Sequence, residues 1–539
     1  MESQNFFISP WTAVVALGLV SQIAQVLLIR ELLMVFHGSE LSIGLILAAW
    51  LFWVGIGSIM AAGKVEKTGK PTLLLAVSSG GLVIFLPLVI FLVRILRGFF
   101  DLPPGAYLSL TEMAISSFVL IAPVSILLGF QFVLLAKMWR LKDKVEDTSG
   151  TGKTYIVEAA GNMLGGILFT FFLVHRFNSF QAAVLIGTLM LILSLTIHLT
   201  YARVIKPFFF NRSMIITACL LLLVVLTFPL LETIEDEAHR FQWQLFSPQY
   251  ELVNSYQSKH GNITVLKHEE QFTFFQSGNL IFSTAGPETP EAGFEEQEAV
   301  EFAHLAMVQH RQPRDVLLIG GGLRGVLSEI FKHPVNSVDY VELDDVLTTA
   351  ARPYISVESL QALSDPRVSL IHKDGRLFVK ESDRHYDLII VDTPDPTTAV
   401  LNRFYTREFF KEADKRLAGD GVLVAGVLST PNLRGVAIAN RNATIYHTMN
   451  TVFTRVLPAG ERFMFYFASN EPEQVSIDPV ILEKRFADRG ISEEAFTGHH
   501  FYTLLEEEQQ RRINWIIINH GRSPMAHLKG PESDPLFPP

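Results

Sequence analysis

The sequence predicts an α-helical membrane domain of many spans, then a small antiparallel β-domain, then an α/β doubly wound sheet. Three observations carry this. Long apolar stretches fill residues 1 to 230; short runs with a two-residue period follow near 262 to 284; and from 315 onward strand-like runs alternate with helical ones, the first strand ending in Gly320-Gly321-Gly322. The charge balance divides at the same place. Residues 1 to 230 hold 15 Lys+Arg against 10 Asp+Glu, and residues 231 to 539 hold 29 against 44, so the halves carry +5 and −15. A soluble half at −15 repels phosphate backbones, which argues against nucleic acid as a partner. The sole cysteine, Cys219, lies in an apolar run and excludes an intrachain disulfide.

The apolar stretches fall near 9–29, 41–62, 72–94, 112–136, 155–175, 181–201 and 214–230. Each approaches or exceeds the roughly 20 residues that cross a bilayer. Seven spans follow, of which 155–175 is interrupted by Glu158 and Asn162. The start MESQNFFISPW lacks a basic flank, so the first stretch reads as a retained span rather than a signal peptide. Eleven Lys and Arg gather in loops 63–71, 137–154 and 202–213, against Arg30, Arg94, Arg97 and Arg176 on the other side. The basic side is expected to face the cytoplasm, which with seven spans puts the C-terminal half outside it. The expected domains are 1–232 for the spans, 233–250 for a helical connector, 251–290 for the β-domain, 291–475 for the α/β domain and 476–539 for a C-terminal extension.

Arg30, Glu31, Glu112, Gln131 and Glu158 are costly at membrane depth unless paired or wetted, and are expected at span ends or in pairs between helices. Gly161, Gly165 and Gly166 are expected to let helices pack closely. TSGTGKT at 148–154 imitates a phosphate loop, but Asp147 stands where that pattern needs glycine, so a flexible basic loop is expected.

In the soluble half NITVLKH, QFTFFQS and NLIFST read as strands, with Ser277-Gly278-Asn279 as a tight turn. Further strands are expected at Asp315–Ile319, Ser337–Glu342, Val368–His372, Tyr386–Asp392, Val422–Val427 and Phe463–Ala468. Helices between them are expected near 325–333, 345–353, 375–381, 406–417 and 435–452. Ligands on such sheets bind beyond the carboxyl ends of the strands. Those ends form a set. Gly320, Gly321, Gly322 and Gly325 contain G-x-G-x-x-G, a Rossmann-like turn that brings backbone N–H groups close to a ligand. Glu342 ends the second strand, 20 residues past Gly322, where an acid takes ribose hydroxyls. Asp374-Gly375 follows the third, where a carboxylate could accept from an adenine amino group. VDTPDP brings Asp392 and Asp395 to the mouth of the site. The histidines and Tyr256 show no metal-ligand spacing, and no metal is expected.

VLLIGGG, VELD, DPRVSLIHKDGR, YDLIIVDTPDP and FYTREFF, in this order, resemble the polyamine aminopropyltransferases, the spermidine synthase family. SKHGNITV and GNLIFS resemble its small N-terminal β-domain, so the likeness covers about residues 250 to 470. SQIAQVLLIRELL and YIVEAAGNMLGG resemble the membrane-fused bacterial members. The resemblance implies a methyltransferase-type sheet and transfer of an aminopropyl group from decarboxylated S-adenosylmethionine to a diamine, releasing methylthioadenosine. It implies that Gly320 to Gly322 face the nucleoside, Glu342 holds the ribose, Asp374 and Gly375 meet the adenine, and Asp392 is the catalytic acid residue. A diamine is protonated at neutral pH, so carboxylates are needed to hold one end and take a proton from the attacking nitrogen. Asp392 suits the base and Asp395 the cation holder.

The sequence departs from the family at two points. Where the family reads GGGDGG, with an aspartate for the aminopropyl ammonium, this chain has Leu323 and then Arg324, and its helix EAVEFAHLAM lacks the Tyr-x-Glu signature. Leu323 and Gly325 complete the expected nucleoside turn, while Arg324 would repel an ammonium, and either binds a carboxylate such as that of intact S-adenosylmethionine or points to solvent. Three readings follow: an aminopropyltransferase, a methyltransferase using S-adenosylmethionine on a lipophilic acceptor, and a non-catalytic nucleoside-binding transport or sensor protein. A nicotinamide dehydrogenase leaves DTPDP unexplained. The expected partners are a small amine and the lipid bilayer, with a homodimer through the β-domain implied by the resemblance. No permanently bound cofactor is expected, and the location is the cell (inner) membrane; the charge count puts the C-terminal half outside the cytoplasm, whereas supply of a donor made in the cytosol puts it inside, and the side stays open.

Overall fold

The computed structural model describes residues 10–521 apart from 37–39, 66–69, 101–107, 144–148, 204–208, 247, 287–293, 397, 429–435, 461–462 and 492–495. The expected loop from 285 and the far end of the C-terminal extension fall largely outside these residues. The chain forms two compact units, Met1–Leu266 with Phe275–Asn279, and Lys267–Phe274 with Leu280–Pro539.

In the first unit six helices among the described residues are long and apolar enough to cross a membrane: Trp11–Val35, Leu41–Lys64, Pro71–Arg94, Leu110–Trp139, Gly152–Arg176 and Ser179–His198. The interrupted fifth stretch is among them, with a mean hydropathy of 1.6 where the others reach 2.1 to 2.5. The seventh stretch and the connector form one helix, Phe209–Phe246, and most side chains of that stretch lie outside the described ones. TSGTGKT is not a loop from Ser149 on. The helix Ser149–Leu168 begins there, because nothing after Asp147 breaks a helix as proline would.

Glycine sets how closely these helices cross. A Cβ at Gly161 would lie 2.2 Å from Val15 O, one at Gly165 2.6 Å from Leu19 O, and one at Gly18 2.2 Å from Glu158 O. The helices Glu40–Val65 and Leu110–Asp143 meet in the same way, at Gly57 against Ile126 O and Gly129 against Val54 O, each 2.1 Å from such a Cβ. Small residues give backbone approach where apolar burial from lipid provides little drive.

Several of the charged groups expected among these helices have partners. Arg94, 1% exposed, donates from Nε to Glu31 Oε2 at 2.9 Å and from Nη2 to Glu235 Oε1 at 2.7 Å. His239 Nε2 lies 2.9 Å from the same Glu235 oxygen. Arg30 donates to Gln257 Oε1 at 3.0 Å. Glu112 forms a capping box: Ser109 N–H donates to Glu112 Oε2 at 2.7 Å and Glu112 N–H to Ser109 Oγ at 3.3 Å. The expected pairing between helices is met at Glu31 and the expected span end at Glu112, whereas both side-chain polar atoms of Gln131 are buried without a hydrogen-bond partner among the described residues.

Four strands, β1 (Glu251–Ser258), β2 (Gly261–His268), β3 (Gln271–Gln276) and β4 (Asn279–Thr284), pair in chain order. Ser277 and Gly278 turn β3 into β4 with φ of 49° and 80°, the left-handed pair that a two-residue hairpin requires.

The second unit holds a seven-stranded sheet of β5 (Asp315–Ile319), β6 (Ser337–Glu342), β7 (Val368–His372), β8 (Tyr386–Val391), β9 (Leu417–Leu428), β10 (Arg455–Ala459) and β11 (Phe463–Ser469). The order is β10-β11-β9-β8-β5-β6-β7. The run from β7 to β9 is parallel, while β11 and β10 are antiparallel to their neighbours. From β5 the chain moves outward through β6 and β7, then returns to β8 on the other side. The order reverses between β5 and β8, the place at which open sheets of this kind take ligands beyond the carboxyl ends of the strands.

Candidate nucleoside and transfer site

The register puts the first residues past β5 and β8 side by side. Ile319 pairs with Val391, and Asp392 N–H donates to Ile319 O at 2.9 Å. Gly320 N–H donates to Val341 O of β6 at 3.0 Å, so the turn is anchored to both neighbouring strands. Gly320 and Gly321 take φ of 73° and 70°, which only glycine adopts at little cost. They are also pressed from the side. A Cβ on Gly321 would sit 1.9 Å from Asp392 Oδ2, and one on Gly322 would sit 2.5 Å from the Tyr340 ring. The glycine turn is thus the floor between Asp392 and the β6 residues.

Leu323 is 3% exposed and turned into the interior, and its backbone N–H donates to the Tyr340 hydroxyl. Gly325, with φ 111°, ends the turn and starts the helix Val326–Ile330. Glu342 accepts from Leu343 N–H at 2.8 Å, Asp344 N–H at 3.4 Å and the Tyr340 hydroxyl at 3.2 Å. Burial pushes its carboxyl up to about 7 despite these donors. Burial and the adjacent Glu342 hold the Tyr340 phenol well above its usual range, so it stays a donor.

The other acids are engaged by arginines. Arg324 grips Asp392 with two parallel bonds, Nε to Oδ2 at 2.7 Å and Nη2 to Oδ1 at 2.8 Å. Arg441, on the helix Val436–Met449, donates to Asp395 Oδ2 at 2.6 Å. Asp374 caps the helix Gly375–Glu381 by accepting from Leu377 N–H at 3.0 Å, and its second oxygen accepts from Arg403. A Cβ on Gly375 would lie 2.5 Å from Ile319 Cγ2, so Asp374 is held close to the end of β5. Three aspartates therefore face three arginines, and the mouth is electrically balanced rather than acidic.

The structure brings together Gly320, Gly321, Gly322, Asp392 and, across Tyr340, Glu342. It assigns Asp374 a helix-capping contact and buries the Leu323 side chain. Sequence reasoning missed Arg403 and Arg441, which stand 29 and 46 positions from their partners and leave no local signal. It also missed Tyr405, whose hydroxyl donates to Gly426 O at 3.0 Å and lies 3.5 Å from Thr393 Oγ1, behind Asp392.

Among the described residues, His310, Asp387 and Asp420 bring ligand-type atoms within 4.8 Å of one another. Their bonding is that of a structural cluster. His310 Nδ1 accepts from Gln312 N–H at 3.2 Å, which leaves the ring proton on Nε2, 3.4 Å from Asp420 Oδ2. Asp387 Oδ2 accepts from Arg314 and Asp315 N–H.

A reversal in strand order with a glycine turn and carboxylates at its mouth marks a Rossmann-like domain with a mixed sheet. Comparison with known proteins narrows the class. The family model for the spermine/spermidine synthase domain matches residues 294–503. The polyamine aminopropyltransferase of a Ruegeria species is 31% identical over 203 residues, covering 36% of this chain and 69% of that one. That of Oceanobacillus iheyensis is 26% identical over 340 residues, 62% of this chain and 64% of its own length, so the chain spans just under two thirds of that relative. The crystal structure of spermidine synthase from Thermotoga maritima aligns with a TM-score of 0.41 and 22% identity, over 49% of this chain and 87% of that one. The chain belongs to the spermidine synthase family of polyamine aminopropyltransferases.

Proposed function

We propose that the second unit transfers the three-carbon arm of an adenosyl sulfonium to an amine nitrogen and releases methylthioadenosine, as the names of its relatives suggest. The donor that the resemblance implies is decarboxylated S-adenosylmethionine. One observation carries the reading: the Asp392 carboxylate lies against the Gly320–Gly322 turn at the strand-order reversal, with Glu342 on the next strand. In this arrangement the glycine turn lets the nucleoside approach the backbone, and ionised Glu342 accepts from the ribose hydroxyls. Asp392 takes the proton of the attacking nitrogen. The carbon–sulfur bond breaks with its electron pair on sulfur, so the leaving group is a neutral thioether that needs no acid. The apolar helices would hold this domain at the bilayer, and the strands β1–β4 would supply a homodimer contact.

The test is release of methylthioadenosine by purified full-length protein given a donor and a panel of amines, followed by mass spectrometry. Release that falls at least about 100-fold in Asp392→Asn supports the reading. Methyl transfer is the second reading, favoured by Leu323 in place of the family aspartate. It predicts S-adenosylhomocysteine in place of methylthioadenosine.

A further inference from the structure

The bidentate pair of Arg324 and Asp392 has a consequence for the donor. Both side chains are 14% exposed, so a ligand entering the site meets them together and largely away from water. The guanidinium also lies 5.7 Å from the centroid of the Phe302 ring. Asp392 Oδ2 in turn abuts the glycine turn, where a Cβ would come within 1.9 Å. On the reading above, the nucleoside lies over this turn, so the three-carbon arm of the donor extends across this pair.

An aminopropyl arm ends in one positive charge. To hold it, Asp392 would have to release Arg324, leaving a second cation beside the first in a shielded site. An amino-acid arm ends differently. Its ammonium and carboxylate stand on one carbon, and each finds its complement in the existing pair: carboxylate to Arg324, ammonium to Asp392. A guanidinium offers the planar fork that matches a carboxylate. Charge is balanced before and after. The Arg441–Asp395 pair repeats the arrangement at 2.6 Å, so the mouth as a whole favours zwitterions over simple cations.

We propose that the donor pocket selects intact S-adenosylmethionine, that the group transferred is therefore 3-amino-3-carboxypropyl, and that Arg324 sets this choice. The inference rests on the reading that the site holds an adenosyl sulfonium and transfers its three-carbon arm. Bond changes are those of aminopropyl transfer. The amine lone pair forms a bond to the methylene that is attached to sulfur, the bond from that carbon to sulfur breaks, and the pair stays on sulfur. With Asp392 holding the ammonium, the proton lost by nitrogen goes to Asp395, the second carboxylate at the mouth, and the carboxylate of the arm is carried unchanged into the product.

The experiment gives full-length protein S-adenosylmethionine and decarboxylated S-adenosylmethionine in turn, with the same amines, and reads methylthioadenosine and the modified amine. Wild-type protein is expected to prefer the intact donor by at least about tenfold in kcat/KM, and Arg324→Gln to reverse that preference. The wild-type comparison decides the matter even if the variant does not fold. Methylthioadenosine mainly from the decarboxylated donor overturns this inference and leaves the transferase reading standing. S-adenosylhomocysteine from the intact donor overturns it in favour of methyl transfer. Methylthioadenosine from neither donor, with nucleoside binding intact, removes the transferase reading and this inference with it.

Discussion

On the proposed reading, Glu342 makes nucleoside binding depend on pH. Its folded-state value of about 7 lies above the ordinary 4.5, and burial is the main cause. The free protein therefore favours the protonated form, and this group's contribution to stability falls as pH rises from the ordinary value through 7. Ribose hydroxyls donate, so the ligand selects the ionised form and binds more tightly as pH rises. At pH 6 roughly one protein molecule in eleven carries an ionised Glu342, and at pH 8 roughly ten in eleven. Affinity should rise about tenfold between those values and level off above them. Methylthioadenosine is uncharged across this range and is the suitable probe, titrated calorimetrically into full-length protein in detergent. Glu342→Gln removes the ionisation and should give weaker binding with no pH dependence. A wild-type profile that is flat, or one that Glu342→Gln shares, refutes the role of Glu342 as the ribose acceptor.

Three other outcomes follow from the geometry. Gly321→Ala should abolish turnover and cost about 1–3 kcal/mol of stability, because it places a Cβ onto Asp392 from a φ of 70°; turnover and thermal unfolding read the two effects. Arg94→Leu leaves Glu31 and Glu235 buried without their shared cation and should destabilise the first unit by about 3–5 kcal/mol, seen as loss of monodisperse protein in detergent. The triple change Arg94→Leu, Glu31→Gln, Glu235→Gln should recover part of it. Arg489→Met should loosen the segment after Pro479–Ala487, since Arg489 donates to Met307 O at 3.0 Å, His310 O at 2.6 Å and His333 Nδ1 at 2.6 Å; limited proteolysis should cut there first.

Local pattern made much of the α/β unit legible. Strands β5, β6 and β7 stand where the sequence places them, because each is an apolar run that ends at glycine or at a polar turn. β9 is longer than expected, Leu417–Leu428, since it runs on through Gly419-Asp420-Gly421. Its pairing with β8 slips there from Tyr386↔Leu417 to Leu388↔Val422, an irregularity without an apolar signature. β10 was missed because RVLPA is short and contains Pro458, tolerated here because β10 is the edge strand. β1 was missed because ELVNSYQS buries only its last residue, so no alternation marks it. At the site, strand ends named the acids but not their state. Arg324 drew notice as a break in a motif, whereas Arg403 and Arg441 reach the same mouth from elements whose position only the fold fixes.

The central claim is that an adenosyl nucleoside lies across the ends of β5, β6 and β7 with its sulfur beside Asp392. Hydrogen exchange of full-length protein with and without methylthioadenosine tests it most directly. The account predicts slowed exchange at Gly320 to Gly325, Glu342 to Asp344 and Asp374 to Leu377, with little change in the helices of the first unit. No protection at these three segments at saturating nucleoside, or protection confined to other parts of the chain, would contradict it.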